Sequence, residues 1–245
     1  MIGLVLENRG ARWRIHLDKA FSGMRANQIT TAGVKAFITD RLEDEAANAT
    51  INRELAALRR MFRLGAQQTP PLVGQVPNIP MLKEKNSRRG FLEHDQFLDL
   101  HKALPDYLKN FVYFAYITGW RKTEISILTW SHIDRKNWTV RLEPGETKNE
   151  DARTVYADKN LKQIIRDQWV SRHKQKLPLE WVFPNRWGKD RLRQFDKVWK
   201  NALDTAKLDP TLIFHDLRRT AVRNMVRAGI PERVADIGSQ NTVGF

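Results

Sequence analysis

The chain has 245 residues, enough for two domains that each bury a core, and its 41% hydrophobic and 29% charged residues exclude a disordered composition. Its 42 Lys and Arg against 28 Asp and Glu leave a formal charge of +14, a surplus that suits a polyanion, because each cation set on a phosphate releases condensed counterions. With no cysteine, disulfide frameworks and Cys-ligated metal centres are excluded.

The first residues, Met1 to Leu6, are apolar but are interrupted by Glu7 and carry no basic leader, so they do not read as a signal peptide. No window is apolar for long enough to span a bilayer. A soluble, cytoplasmic protein with no membrane partner is expected. Residues 1–21 offer little support for a first helix. Val34, Phe37, Ile38 and Leu42 then recur at helical spacing after Thr30-Thr31. Ile51, Leu55, Leu58 and Phe62 form a second stripe, with Thr50 placed as N-cap and Gly65 as the stop. Arg53, Arg59, Arg60 and Arg63 fall largely outside that stripe, as a solvated face or as phosphate contacts.

Between Gln67 and Pro80 the prolines Pro70, Pro71, Pro77 and Pro80 with Gly74 break regular structure. Lys83, Lys85, Arg88 and Arg89 follow as a basic run. We read residues 1–68 as a helical domain, 69–89 as a basic, proline-containing linker with its boundary near Asn86, and 90–245 as a second domain.

In that second domain Leu108, Phe111, Val112, Ala115 and Tyr116 predict a buried helix closed by Thr118-Gly119, and a short helix spans about Lys122 to Leu128. Trp138, Val140 and Leu142 alternate with polar residues as a strand. Thr147-Lys148 and Arg153–Tyr156 read as two more short strands around the turn Asn149-Glu150-Asp151. Leu161, Ile164, Ile165 and Trp169 predict a helix, and Trp181-Val182-Phe183 a short strand. Two further helices run through Leu192–Ala202 and Leu217–Ala228.

Two stretches carry chemistry. In Phe214-His215-Asp216-Leu217-Arg218-Arg219, His215 and Arg218 are three apart where a helix begins, so both project from one end, where free backbone N–H groups also favour an anion. In Thr118-Gly119-Trp120-Arg121-Lys122-Thr123-Glu124, Gly119 allows a turn and Arg121 enters the short helix, with a planar fork able to bond two oxygens of one phosphate. Taken alone, the first stretch reads more readily as a polar first turn with His215 beside the cap, and the bland reading of Arg121 is an exposed partner of Glu124.

Together these stretches resemble the tyrosine recombinase, or phage integrase, family, marked by Gly-x-Arg-x-x-Glu, a lysine on a β-hairpin and a later His-x-x-Arg. The resemblance runs from about Thr30 to Arg233 and implies a mainly α fold. It consists of a SAM-like helical core-binding domain and an α+β catalytic domain with a small antiparallel sheet. It further implies double-stranded DNA as partner, other integrase subunits as further partners, and site-specific recombination through a covalent protein–DNA intermediate, without metal or nucleotide cofactor. In that scheme Arg121 and Arg218 hold the scissile phosphate. His215 bonds it and assists proton removal, and Lys148 is the general acid, with Lys159 and Lys162 as nearby rivals for that role. Arg53, Arg59, Arg60, Arg63, Lys83, Lys85, Arg88 and Arg89 are the candidate DNA contacts.

The family's second histidine and nucleophilic tyrosine are not found: Asn241 stands near the histidine's place, and Tyr107, Tyr113, Tyr116 and Tyr156 fall in helix and hairpin positions. A chain cut short near Asp236, a decayed integrase that still binds DNA, and a tyrosine donated in trans are the readings left open. The alternative function is a non-catalytic DNA-binding remnant or an inhibitor of an intact integrase. An unrelated RNA-binding protein ranks below both, because the aromatics fall mostly in helix cores.

Overall fold

The computed structural model describes residues 12–84, 90–146, 152–174 and 180–232. The chain divides into two compact units, Met1–Arg88 and Arg89–Phe245. It is mainly α-helical, with one three-stranded antiparallel sheet in the second unit.

The first unit is built from helices α1 (Arg12–Phe21), α2 (Thr31–Glu43) and α3 (Asn48–Ala66). Helix α1 corrects the expectation that residues 1–21 hold no clear helix: Leu17 is buried, and the Phe21 ring packs 5.7 Å from that of Phe37. Helix α2 starts where Thr30 Oγ1 accepts the Gly33 N–H at 3.2 Å. Its inward face is Val34, Phe37, Ile38 and Arg41, while Leu42 is exposed. Arg41 can be buried because its guanidinium donates to both oxygens of buried Glu54, at 3.0 and 3.2 Å.

Helix α3 differs from expectation at both ends. It begins at Asn48 after Ala47, so Thr50 lies inside its first turn, and it runs through Gly65 to Ala66. The glycine serves packing there: a Cβ on Gly65 would come 2.7 Å from Val73 Cγ2. The proline-containing stretch also departs from a free linker. Val73, Ile79 and Leu82 join the apolar core of the first unit. Asn52 receives the Leu82 N–H and donates to the Leu82 carbonyl, both at 2.8 Å, and Asn48 donates to the Lys83 carbonyl at 2.9 Å. Prolines remove backbone donors without preventing apolar side chains from packing, so a segment with no regular structure still closes the core.

The second unit contains α4 (His94–Ala103), α5 (Asp106–Thr118), α6 (Lys122–Ser126), β1 (Ile133–Asp134), β2 (Thr139–Leu142), β3 (Arg153–Tyr156), α7 (Lys159–Lys174), α8 (Asp196–Thr205) and α9 (Asp216–Arg227). Helix α5 is its axis. Leu108, Phe111, Val112, Phe114 and Ala115 are buried, and the helix packs against α4, α6, α7 and α9. Burial of each such side chain contributes roughly 1.5–3 kcal/mol. Gly119 ends α5 in the left-handed region at φ 65°, a conformation that glycine adopts without steric cost.

The sheet has the order β1-β2-β3, with Ile133 opposite Val140, Val140 opposite Val155, and Leu142 opposite Arg153. Trp138, at φ 56°, lies in the turn ahead of β2, so the strand starts one residue later than the alternation suggests. Residues 181–183 form no strand. Trp181 makes a single bridge to Thr129, and Val182 donates to the Leu128 carbonyl at 2.8 Å. The expected strand at Thr147-Lys148 lies outside the described residues.

Helix α9 is tied to α5 near both ends. Arg218 Nη1 donates to the Gly119 carbonyl at 2.9 Å, and Asn224 Nδ2 donates to the Tyr116 hydroxyl at 3.1 Å. The start of the second unit latches to the same helix. Leu92 N–H donates to buried Thr220 Oγ1 at 3.0 Å, and a Cβ on Gly90 would lie 2.7 Å from Asp216 Oδ2. Among the described residues no helix is long and apolar enough to cross a membrane.

Candidate active site

Arg121 sits at the N-cap of α6, directly after the Gly119-Trp120 turn. Its backbone N–H donates to Glu124 Oε2 and its Nη1 to Glu124 Oε1, both at 2.8 Å. Glu124 is almost fully buried, with its side chain 2% exposed, so this carboxylate fixes one edge of a guanidinium that itself stays partly exposed at 22%. Glu124 therefore orients Arg121, as its spacing suggested.

His215 and Arg218 enter at the start of α9. The bond from Arg218 to Gly119 O brings that arginine beside the turn that presents Arg121. His215 stands among these cations: partial burial first, then the charges of Arg218, Arg121 and Arg219, hold its imidazole below the ordinary histidine value, against the opposing pull of Asp216. Three of the four residues singled out for chemistry, Arg121, His215 and Arg218, thus share one electrostatic neighbourhood. The fourth, Lys148, lies outside the described residues. Of its rivals, Lys159 is exposed in the first turn of α7, and Lys162 Nζ lies 5.8 Å from the centre of the Trp138 ring.

A cavity of about 620 Å³ opens beside this cluster along α9, lined by His215, Arg218, Arg219, Val222, Arg223 and Val226, among others. At its rim Arg227 Nη1 and Arg223 Nη1 approach the two oxygens of Glu93 at 2.7 and 2.8 Å, and the Arg227 bond foremost holds that carboxyl below the usual range. The Arg223 guanidinium also lies 3.6 Å above the Phe91 ring. The lining is mostly cationic, with Val222 and Val226 as its apolar members and Glu232 as its one acid, and so suits an anionic group.

The candidate DNA contacts separate. Arg53, Arg60 and Arg63 are exposed on α3, although Arg53 Nη1 also donates to the Ala49 carbonyl at 2.9 Å. Arg59 is exposed as well, and it donates to the Ile79 carbonyl, which ties the proline-containing stretch to α3. Lys83 is exposed, and Lys85, Arg88 and Arg89 lie outside the described residues.

Two features were not foreseen. Arg153 on β3 is 1% exposed and places Nη1 2.9 Å from Glu124 Oε2. Its signal was in the alternation, since Arg153 shares a strand face with buried Val155. A ladder of stacked cations also runs along α7, with Arg135 3.8 Å from the Trp169 ring centre, Arg166 4.7 Å from that of Trp138, and Arg172 5.1 Å from that of Trp169. Among the described residues no group of three or more His, Asp or Glu side chains could hold a metal ion.

The model of the phage integrase family matches residues 90–237, more than half of the chain. The chain belongs to the phage integrase family. This is the tyrosine recombinase family that the motifs resemble. The integrase of Salmonella phage P22 is 27% identical over 198 residues, covering 76% of this chain and 49% of that protein. The chain thus spans about half the length of this curated relative. Among solved structures, lambda integrase (residues 75–356), a dimer bound to a COC′ core site, aligns with a TM-score of 0.72 at 17% identity, covering 92% of this chain and 84% of that one. The integrase of transposon Tn1549, in complex with transposon right end DNA, also gives 0.72, at 16% identity, covering 94% and 83%. At such identity the likeness is one of fold.

Proposed function

We propose that this integrase-family chain binds duplex DNA and engages a single backbone phosphate with Arg121, His215 and Arg218, as the phosphate pocket of a site-specific recombinase. The observation that carries this reading is the convergence of those three side chains, drawn from two sequence regions about 95 residues apart, around a turn held by the Arg218–Gly119 bond. Two guanidiniums complement the charge that develops on a phosphoryl group under attack, and they are oriented before substrate arrives. A neutral imidazole between them can accept the nucleophile's proton, which a protonated one cannot. Lys148, on the β2–β3 connection, is the proposed acid for the departing oxygen. The exposed Arg53, Arg60, Arg63 and Lys83 are proposed backbone contacts.

A second reading, binding without strand cleavage, is favoured by the tyrosines. Three of the four are packing residues: Tyr116 belongs to the core of the second unit and Tyr107 and Tyr113 pack against it, while Tyr156 is exposed at the end of β3. The test uses a nicked suicide duplex carrying the element's own junction. The chain is incubated alone and with an intact integrase copy whose own pocket arginine has been replaced. A covalent DNA adduct in the mixture that disappears with Arg121→Ala supports the recombinase pocket. No adduct in either tube, with duplex binding retained, establishes the binding protein. Duplex affinity that does not change with salt refutes both.

A further inference from the structure

The bond between Arg121 and Glu124 poses an electrostatic problem. A guanidinium held at one edge by a carboxylate forms a neutral pair with it, and a neutral pair attracts an anion only weakly. Yet Glu124 orients Arg121 through the side chain and the backbone N–H together. The sheet supplies a third member. Arg153 lies opposite Leu142 in the β2–β3 ladder, on the same face as Val155, so its side chain enters the core, where it meets Glu124 Oε2 at 2.9 Å. Both side chains of that pair are 2% exposed, whereas Arg121 is 22% exposed. Two guanidiniums and one carboxylate leave one net positive charge, and the outer member, Arg121, faces solvent.

We propose that Arg153 is a positioning residue of the phosphate pocket, the buried counter-charge that lets Glu124 orient Arg121 without cancelling its attraction for an anion. The inference rests on the reading of Arg121 as a phosphate ligand. It differs from a purely structural role, in which Arg153 merely fastens the hairpin to α6. In the structural case, removing the charge of Glu124 as well does nothing to restore function. In the counter-charge case it does, because Arg121 beside a neutral glutamine keeps its full charge.

Inorganic phosphate is the probe, titrated into the whole chain at constant ionic strength and followed through the imidazole signals of His215, assigned by their loss in His215→Asn. Arg153→Met is expected to weaken phosphate binding about tenfold, less than the loss of a direct bond, because it removes a nearby charge and no contact with the phosphate. The double variant Arg153→Met/Glu124→Gln is expected to return to within about twofold of the parent, and Glu124→Gln alone to bind more tightly than the parent. Lys102→Met, which removes one positive charge from an exposed position on α4, is expected to leave the affinity unchanged. If Arg153→Met binds like the parent while Arg121→Ala loses binding, the inference is overturned and the pocket stands. It is also overturned if the double variant stays as weak as Arg153→Met. If the parent shows no response, or Arg121→Ala leaves it unchanged, the pocket reading fails and takes the inference with it. Should Arg153→Met not fold, as read by circular dichroism, Glu124→Gln decides: phosphate binding no tighter than the parent's overturns the proposal.

Discussion

Arg218 is asked to do two things at once, and replacing it with lysine separates them. One nitrogen, Nη1, is committed to the Gly119 carbonyl at 2.9 Å, and the planar fork of an arginine can keep such a bond while it also meets a phosphate. Lysine keeps the charge but has a single terminal nitrogen on a flexible stem, which cannot hold the carbonyl and a phosphate in the same fixed geometry. The loss is one charge-assisted hydrogen bond, about 2 kcal/mol, or roughly thirtyfold in phosphate affinity. Arg218→Met loses the charge as well and leaves the Gly119 carbonyl without this donor. The expected cost is about 1–2 kcal/mol of stability in the second unit, in addition to the lost binding. Phosphate titration followed at His215 measures the first quantity. Urea unfolding of the second unit, analysed as its own transition, measures the other. Arg218→Lys with phosphate affinity within about twofold of the parent would refute the dual role, because one simple charge would then suffice.

Two further outcomes follow from the same geometry. On α3, Arg63→Met is expected to lower duplex affinity and reduce the salt slope by about one unit. Arg59→Met is expected mainly to destabilise the first unit, by about 1 kcal/mol, since that side chain holds the Ile79 carbonyl. Anisotropy titrations at several salt concentrations and thermal melts read both, and a larger affinity loss from Arg59→Met than from Arg63→Met refutes the assignment. The depressed pKa of His215 sets the pH dependence. In the free protein the unfolded chain takes up this proton first, so stability falls as pH drops through the ordinary histidine value of 6.5 toward His215's own lower value. A bound DNA phosphate shifts His215 back toward the imidazolium, so duplex binding tightens as pH falls toward His215's own value, while the neutral fraction able to accept the nucleophile's proton shrinks. His101, depressed by its own burial, adds to the stability slope. Duplex affinity compared between the parent and His215→Gln isolates His215, and identical pH profiles for the two would refute its place in the pocket.

Most helices of both units could be read from apolar spacing, because in each a continuous stripe meets a continuous core. What escaped the sequence was decided by tertiary partners. Leu42 continues the stripe of α2 by type, yet the helix turns Arg41 inward, since Glu54 on α3 stands ready to pair with it. Gly65 resembles a helix stop until Val73 is seen against it. The placement of Arg121, His215 and Arg218, for which a phosphate-binding role is proposed, was legible because they sit at local signals, a glycine turn and a helix start. Arg153 was not, because a buried arginine declares itself only through a partner 29 residues earlier in the chain, Glu124.

The latch at the start of the second unit bears on how members of this family can be recombined with one another. Gly90 has room for no side chain against Asp216, and Leu92 N–H depends on the Thr220 hydroxyl. Asp216 and Thr220 flank Arg218 within the first turns of the helix that carries the pocket. A chimera that joins one relative's chain up to residue 92 to another's catalytic body therefore crosses this contact, and with it the register of the pocket helix. Segments 90–92 and 213–220 form a single graft: exchanged together they carry their fit with them, and exchanged apart each arrives without its counterpart.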